Sequence, residues 1–377
     1  MVHNPSGGEQ GTTAPISQTG SNPDQVRKLR FHGTGGSLFG IHIVNMLLIG
    51  LTVGIYYFWG KVKVRNYVYS QSEFEGDRFA YHGTGKELLI GWLKGMAILA
   101  AIYGISFGLL YLVGEKSAWG QVLYLLFPLP FLFFGLIPIA IAGAWRYRLS
   151  RSSWRNIRFS FRGHTLEFMK LYAPGLLLTM VTLGFYGPIF SCRIRKFLLE
   201  RTFFGNAPFS FDGDGKELLW PYAKAFLLTI LTPLSLAGLL LGLVGSALGI
   251  PELVVIVFVL IVLTPLGWLP MIWYAARQHR YLWGHTRFGG ADFSCSITGG
   301  SLFWLKFVNG ILLVVTLGFA QPWVLVRTAR FMFEKISLHG YLDLAVIEQE
   351  AREAGATGEG IADLLDTELL DMDLGIL

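Results

Sequence analysis

The sequence predicts an all-α, polytopic membrane protein built from internal repeats of about 130 residues. Apolar residues make up 53% of the chain and charged residues only 15%, whereas soluble domains carry about 25% charge. Seven apolar stretches each reach the roughly 20 residues that a helix needs to cross a bilayer. They lie near residues 38–60, 88–113, 121–144, 168–191, 222–248, 251–275 and 302–326.

The repeats follow from a register that recurs along the chain. An offset of 130 residues pairs Thr52 with Thr182 and Gly54 with Gly184, and an offset of 264 pairs Thr52 with Thr316. Such self-similarity predicts duplication of one structural unit. The predicted divisions are a disordered polar N-terminal tail at 1–26, repeats at 27–147 and 148–279, a partial repeat at 280–340, and an acidic C-terminal tail at 341–377.

A glycine motif opens most of the apolar stretches. Just before it, large side chains recur at every second position, as in Phe79-Ala-Tyr81 and Phe209-Ser-Phe211, which predicts short β-hairpins at the membrane surface. Thr84-Gly-Lys-Glu87 has the pattern of a capping box ahead of a helix. The alternative is that backbone N–H groups at this helix start bind a phosphate or headgroup anion. The copies begin at Phe31, Tyr81, Phe161, Phe211 and Cys295.

The basic residues create a conflict over membrane topology. Single apolar stretches separate basic clusters at 38–60, 168–191 and 302–326, so ordinary spans there would place basic clusters on both membrane faces. That arrangement breaks the positive-inside rule. Each of the three stretches contains Thr-x-Gly, and glycine frees the backbone at such a point. We therefore predict either re-entrant hairpins that bend at Thr-x-Gly or kinked spans.

Candidate substrate-binding or pore-lining residues lie in these three broken stretches. Interrupted apolar segments at equivalent places in a repeat are typical of transporter binding sites. For the two asparagines the alternative is an interhelical hydrogen bond. The candidates are Asn45, Thr52, Gly54, Thr182, Gly184, Asn309, Thr316 and Gly318.

Basic residues beside the apolar stretches predict contact with anionic lipid headgroups. Residues 1–340 carry 30 basic and 15 acidic residues, and the segment 341–377 carries ten acidic residues and one arginine. The juxtamembrane placement favours lipids over nucleic acid as the partner, and the acidic tail is a candidate site for a protein partner. The candidate headgroup-binding residues are Lys61, Lys63, Arg65, Arg193, Arg195 and Lys196.

The sequence offers no pattern typical of catalysis. The eight histidines form no HExxH motif, and two cysteines are too few for a thiolate metal site. We find no nucleophile motif and no carboxylate pair inside an apolar stretch. The prediction is a protein that is not an enzyme and has no catalytic, metal-binding or cofactor-binding residues.

Several motifs carry a family resemblance. They include Phe31-His-Gly-Thr-Gly-Gly-Ser-Leu-Phe39, Leu51-Thr-Val-Gly-Ile-Tyr-Tyr-Phe-Trp59 and Leu317-Gly-Phe-Ala-Gln-Pro-Trp323. At these motifs the chain resembles the YjgN-like family of bacterial inner-membrane proteins, over roughly residues 31–344. The resemblance implies a multi-pass inner-membrane protein of unknown activity and supplies no substrate or catalytic residue.

Two functions remain open at this point. The first is transport of a small molecule or ion, or a channel, because of the repeated glycine-broken segments. The alternative is a lipid-binding or membrane-scaffold protein that transports nothing, because of the basic face. In either case we expect a cytoplasmic N-terminus. The substrate and the oligomeric state do not follow from the sequence.

Overall fold

The computed structural model describes residues 26–114, 117–239 and 267–340, together with residues 342 and 347. Helices and short strands alternate along these residues. The helices are α1 (Gly35–Leu51), α2 (Tyr57–Gln71), α3 (Gly85–Val113), α4 (Ala118–Arg151, with a π-helical turn at Phe131–Leu136), α5 (Thr165–Val181), α6 (Gly187–Glu200), α7 (Leu219–Leu239), α8 (Leu269–Gly284), α9 (Gly299–Val315) and α10 (Gln321–Lys335). The strands are β1 (Val26–Lys28), β2 (Arg30–Phe31), β3 (Ser72–Phe74), β4 (Asp77–Tyr81), β5 (Ser152–Trp154), β6 (Ile157–Phe161), β7 (Thr202–Phe204), β8 (Ala207–Phe211), β9 (Thr286–Phe288), β10 (Ala291–Cys295) and β11 (Ile336–His339).

All eleven strands belong to one antiparallel sheet. Its order is β1-β11-β10-β9-β8-β7-β6-β5-β4-β3-β2, so β1 and β2 lie at its two ends. These end strands are consecutive in the chain and only Leu29 separates them. The sheet therefore returns to its starting point and forms a nearly closed ring.

The strand register shows how separate hairpins combine into this ring. In β4, Asp77 and Arg78 pair with β3 of the same hairpin, whereas Phe79–Tyr81 pair with β5 of the next hairpin. β6, β8 and β10 divide their pairing in the same way. Residues 26–31 repeat this division, because β1 pairs with β11 and β2 pairs with β3. The two ends of the described chain thus complete a fifth hairpin.

The prediction of an all-α fold is wrong. Strands β4, β6, β8 and β10 lie where the alternating pattern predicts them, but the hairpins pair with one another in one sheet and do not stand isolated on a helical protein. Each strand has only two to five residues. Two-stranded hairpins of this length are marginal by themselves, and pairing in a larger sheet stabilises them.

The helices all join the sheet at one edge. Each hairpin is entered from a helix and left into a helix, so both helix ends lie opposite the strand turn. Tyr81, the last residue of its hairpin, pairs with Ser152, the first residue of the next hairpin, and Phe161 pairs with Thr202 in the same way. The ends of the hairpins that connect to helices therefore lie at the same edge of the sheet. α1 leaves this edge and α2 returns to it, with only the turn 52–56 between them. The pair is therefore an antiparallel helical hairpin.

Fewer helices of membrane-crossing length are present in the described residues than the seven apolar stretches predict. By length and composition, three helices qualify: Gly85–Val113, Ala118–Arg151 and Lys216–Leu236. The stretches at 38–60, 168–191 and 302–326 instead fold as helical hairpins, α1–α2, α5–α6 and α9–α10, which bend at Thr-x-Gly.

Some predictions concern residues that the structure does not describe. Most of the stretch 251–275, the tail 1–25 and nearly all of the tail 341–377 lie outside the described residues. The predicted repeat boundaries at 147 and 279 fall within α4 and α8, and as boundaries they stay predictions.

Candidate functional site

The Thr-x-Gly segments are tight turns at the tips of the three helical hairpins. Thr52 Oγ donates a hydrogen bond to the Leu48 carbonyl oxygen at 2.7 Å and accepts one from the Tyr56 amide at 2.9 Å. Gly54 has φ +90°, a left-handed conformation that glycine adopts without a steric penalty. Equivalent bonds and angles occur at Thr182, Gly184, Thr316 and Gly318.

The two candidate asparagines join helices within a hairpin. Asn45 Nδ2 donates to the Gly60 carbonyl oxygen at 3.1 Å, and Asn309 Nδ2 donates to Thr328 Oγ at 3.1 Å. Both are interhelical bonds. The Oδ1 atoms of both asparagines are buried and have no hydrogen-bond partner among the described residues.

The structure does not gather the eight candidate pore-lining residues into one site. They lie in two asparagine contacts and three separate turns, where their polar groups are used locally. None of them lines either cavity described below. A pore-lining role for these residues stays a prediction.

Apolar side chains project from the three turns. Val53, Leu183 and Leu317 are 93%, 78% and 89% exposed, and each sits between Thr and Gly of its turn. Contiguous exposed apolar surface marks a membrane or partner contact. Lys61 lies only four residues into α2, about 6 Å from its start. Each hairpin tip is thus apolar, and a basic segment follows closely.

The six candidate headgroup residues divide into two groups. Lys63 and Arg193 are exposed and lie over the rings of Tyr56 and Tyr186, at 5.3 and 5.5 Å from the centroids. Lys61 is half-buried over Tyr57, and Lys196 is exposed beside Glu200. These four face outward.

The other two, Arg65 and Arg195, point into the protein. Arg65 donates to Tyr81 Oη at 3.2 Å. Arg195 is only 3% exposed, donates to Thr286 Oγ at 3.2 Å, and lies over the Trp283 ring at 4.9 Å. Burial lowers the pKa of its guanidinium. Their main contacts are therefore structural.

Sequence reasoning missed a set of arginines that fix the glycine motifs. Arg146 donates to the Gly163 carbonyl oxygen at 2.6 Å, and Arg330 donates to that of Gly33 at 3.0 Å. Arg280 makes the same contact with Ile297 at 2.5 Å. The available signal was an arginine six residues before the first strand of each of these units. These contacts attach each entering helix to the start of the leaving segment.

The interior of the ring is an apolar chamber. Strands β3 to β10 each contribute one inward aromatic residue, and Leu338 and Leu29 take these places in the fifth hairpin. Trp154 contacts Phe204 at 5.6 Å between centroids, and Phe204 contacts Phe288 at 6.1 Å. The inward aromatic residues are Phe74, Phe79, Trp154, Phe159, Phe204, Phe209, Phe288 and Phe293.

A cavity of about 160 Å³ remains among these side chains, and Leu342 packs against it. Unfilled volume of that size in a core costs about 4 kcal/mol. The chamber is therefore a candidate binding site. Across the described residues, no group of three or more His, Cys, Asp or Glu side chains is placed to hold a metal ion.

Apolar helices of membrane-crossing length extend from one edge of a ring-shaped sheet, and this combination defines a helical membrane protein with a β-sheet ring at one end. The chain belongs to the family described as "Bacterial protein of unknown function (DUF898)", whose model matches residues 26–364.

Three curated relatives carry the name inner membrane protein YjgN, which confirms the predicted resemblance to YjgN-like proteins. The protein from Salmonella typhimurium LT2 is 30% identical over 183 residues, which cover 45% of this chain and 43% of that relative. The protein from Escherichia coli K12 is 35% identical over 131 residues, 35% of this chain and 30% of that relative. The chain thus spans less than half the length of these relatives. Their names support an inner-membrane location. No solved structure matches the chain.

Proposed function

We propose that this protein is a multi-pass inner-membrane protein that binds anionic lipid and carries its sheet ring on the cytosolic side. The observation that carries the proposal is that three helical hairpins leave the same sheet edge and end in exposed apolar turns followed by basic residues. Apolar tips enter the acyl region, and Lys61, Lys63, Arg193 and Lys196 then lie at the level of the headgroups.

The lengths of the helices agree with this placement. α3 has 29 residues and is about 44 Å long, more than the roughly 30 Å of hydrocarbon. Lys94 is its last charged residue, and residues 95–113 rise about 28 Å without charge. The first ten residues of α3 form a segment about 15 Å long, and in this placement that segment lies between the membrane and the sheet. The positive-inside rule assigns this basic side to the cytosol.

Transport is the second candidate. It is favoured by the buried Oδ1 atoms of Asn45 and Asn309, which lie at equivalent places in two hairpins and lack hydrogen-bond partners among the described residues. Lipid binding is preferred because the turn threonines are satisfied within their own turns. Flux in liposomes that is lost when Asn45 and Asn309 are both replaced by leucine would reverse this preference.

Cysteine labelling tests the sidedness. We expect single cysteines at Arg78, Asn156 and Asp292, which are exposed and lie in or beside the strand turns, to react with an impermeant thiol reagent from the cytosolic face only. A cysteine at Ser117, between α3 and α4, should react from the opposite face only. Burial raises the pKa of the Cys192 thiol to about 12, so this native cysteine reacts little with the reagent at pH 8. The other native cysteine, Cys295, is replaced by serine. Labelling of the three turn positions from different faces would contradict the proposal.

Lipid retention tests the headgroup contacts. The double variant Lys63→Gln/Arg193→Gln should lose about thirtyfold in affinity for phosphatidylglycerol, since each basic residue near the membrane contributes about 1 kcal/mol. Lipid adducts are counted by native mass spectrometry. The matched control, Lys28→Gln/Arg78→Gln, removes two exposed charges from the sheet and should retain the lipid. Equal loss in both variants would show a nonspecific charge effect and sink the lipid-site proposal.

A further inference from the structure

The cavity inside the ring lies beside the fifth hairpin, where the side chains are smaller than elsewhere in the ring. Leu338 stands at the register where the other four hairpins carry a phenylalanine or tryptophan, and Leu29 stands where they carry a phenylalanine. Two leucines in place of aromatic rings leave volume unfilled. The residues of this hairpin and of the segment after it that line the cavity are Arg27, Leu29, Ile336, Ser337, Leu338 and Leu342.

The wall of the cavity exposes no polar surface, although Arg27 and Ser337 belong to it. Arg27 Nε lies 3.3 Å from Glu75 Oε1, and Glu75 lines a second, outer cavity of about 570 Å³ whose other charged residues have both signs. Ser337 Oγ lies 2.8 Å from Ser294 Oγ in the neighbouring strand. Both residues therefore present only apolar surface to the chamber. A charged ligand would lose its hydration there without gaining a hydrogen bond.

The size and lining of the chamber suit a neutral apolar molecule. A water molecule needs two to four polar partners, whereas a cavity of about 150 Å³ lined by leucine, isoleucine and phenylalanine stays dry and binds benzene. The ring chamber has a similar volume, about 160 Å³, and side chains of the same kind. Because an empty cavity destabilises a folded core, an apolar molecule that fills it stabilises the ring.

Leu342 closes the chamber at the edge of the sheet that carries the strand turns, opposite the helices. The chain leaves β11 at this edge and bends at Gly340, which has φ +113°. Leu342 is only 6% exposed and packs against the ring interior beside the β9–β10 turn, where a Cβ atom on Gly289 would lie 2.8 Å from Leu342 Cδ1. Leu342 belongs to no strand, so its side chain can move without breaking a strand pairing.

We propose that the ring chamber binds a small neutral apolar molecule about the size of benzene, which enters past Leu342. The aromatic side chains of Trp154, Phe204 and Phe288 line the space and supply dispersion contacts and edge or face contacts to an aromatic ligand. The chamber rejects carboxylates and amines, because its wall has no group to pair with them. The site goes beyond the proposed lipid contact, since it lies inside the sheet and not on the helical hairpins.

Fluorine NMR with fluorobenzene tests the proposal on the full chain in detergent. Partition of the probe into detergent rises linearly with probe concentration, whereas binding in the chamber saturates at one molecule per chain. Wild type should show saturable binding of fluorobenzene, and the same titration with charged 4-fluorobenzoate should show none. Absence of saturable fluorobenzene binding, or equally tight binding of 4-fluorobenzoate, would overturn the proposal.

Two substitutions fill the chamber with side chains that other hairpins carry at the same register. Leu338→Trp copies Trp154 and Leu29→Phe copies Phe79, and each should weaken fluorobenzene binding at least tenfold. Thermal unfolding followed by circular dichroism checks that each variant is folded. The matched control is Leu177→Phe, which enlarges a leucine that is 54% exposed on α5 and should bind like wild type. Undiminished binding in the folded chamber variants, or an equal loss in Leu177→Phe, would contradict the proposal.

Leu342→Ala tests the entrance. Removal of the closing side chain should raise the dissociation rate of fluorobenzene at least tenfold, measured from exchange between the free and bound fluorine signals. An unchanged rate would overturn the assignment of Leu342 as the entrance. Lys63→Gln/Arg193→Gln should leave fluorobenzene binding unchanged, so the chamber and the lipid site fail independently.

Discussion

Glu87→Ala is expected to lower the free energy of unfolding by about 3 kcal/mol. Glu87 Oε2 accepts a hydrogen bond of 2.8 Å from the fully buried Tyr147, and its Oε1 lies 2.5 Å from Arg151 Nη2. The same carboxylate accepts from the Thr84 amide and completes the capping box of α3. Alanine leaves a buried hydroxyl and a guanidinium without their acceptor and removes a helix cap.

The sequence supplies a matched control for this variant. Glu217 occupies the same place in the copy of the motif 130 residues later, but its side chain is exposed. Glu217→Ala should change stability by no more than about 0.5 kcal/mol. Both variants are compared by thermal unfolding in detergent, followed by circular dichroism. Similar losses for the two would show that the Tyr147–Glu87–Arg151 contacts do not carry the effect.

Gly215→Ala is expected to destabilise the protein by about 3 kcal/mol. Gly215 has φ +79°, where an L side chain is strained. A Cβ atom there would also lie 2.8 Å from the Pro188 carbonyl oxygen and 3.0 Å from Ile189 Cα. These are backbone atoms of α6, so a rotamer change cannot remove the clash. To make room for the alanine Cβ atom, the start of the Lys216–Leu218 turn must move away from α6.

Gly187→Ala is the control for the second variant. Gly187 begins α6 beside the same contact, yet a Cβ atom there meets nothing within 4 Å. Alanine should be neutral or stabilising by up to about 1 kcal/mol, because it restricts the unfolded chain. The difference between the unfolding temperatures of Gly215→Ala and Gly187→Ala measures the destabilisation that results from the close approach of residue 215 to α6. A stable Gly215→Ala protein would mean that α6 and the Lys216–Leu218 turn are not packed as described.

Local features of the fold follow from the sequence because the interactions behind them are local. The capping box at Thr84 and Glu87 was predicted from four consecutive residues and is confirmed by its two hydrogen bonds. The length and apolar character of α3 and α4 likewise mark them as helices that can cross a membrane. The family resemblance, which rested on the order and spacing of the motifs and on composition, is confirmed over residues 26–364.

The candidate sites depended on contacts that no local pattern contains. Arg65 and Arg193 look alike in the sequence, but Arg65 bonds to the end of β4 whereas Arg193 faces outward. Arg27 precedes the first apolar stretch in the sequence, yet it lines the interior of the ring, because β1 pairs with β11 more than 300 residues away. Which residues share a chamber is decided by such pairings.

The sequence by itself determined the membrane class, the capping box at Thr84, the turn glycines and the family, since periodicity and capping act within about one or two helical turns. Only the tertiary structure decided that the hairpins form one ring, that the Thr-x-Gly stretches fold back to the same sheet edge, and that the ring encloses an apolar chamber. The reason is that strand pairing uses backbone N–H and C=O groups, which every residue type except proline offers alike. Val26 therefore carries no mark of its partner His339, and the ring closes where the two chain segments meet in space.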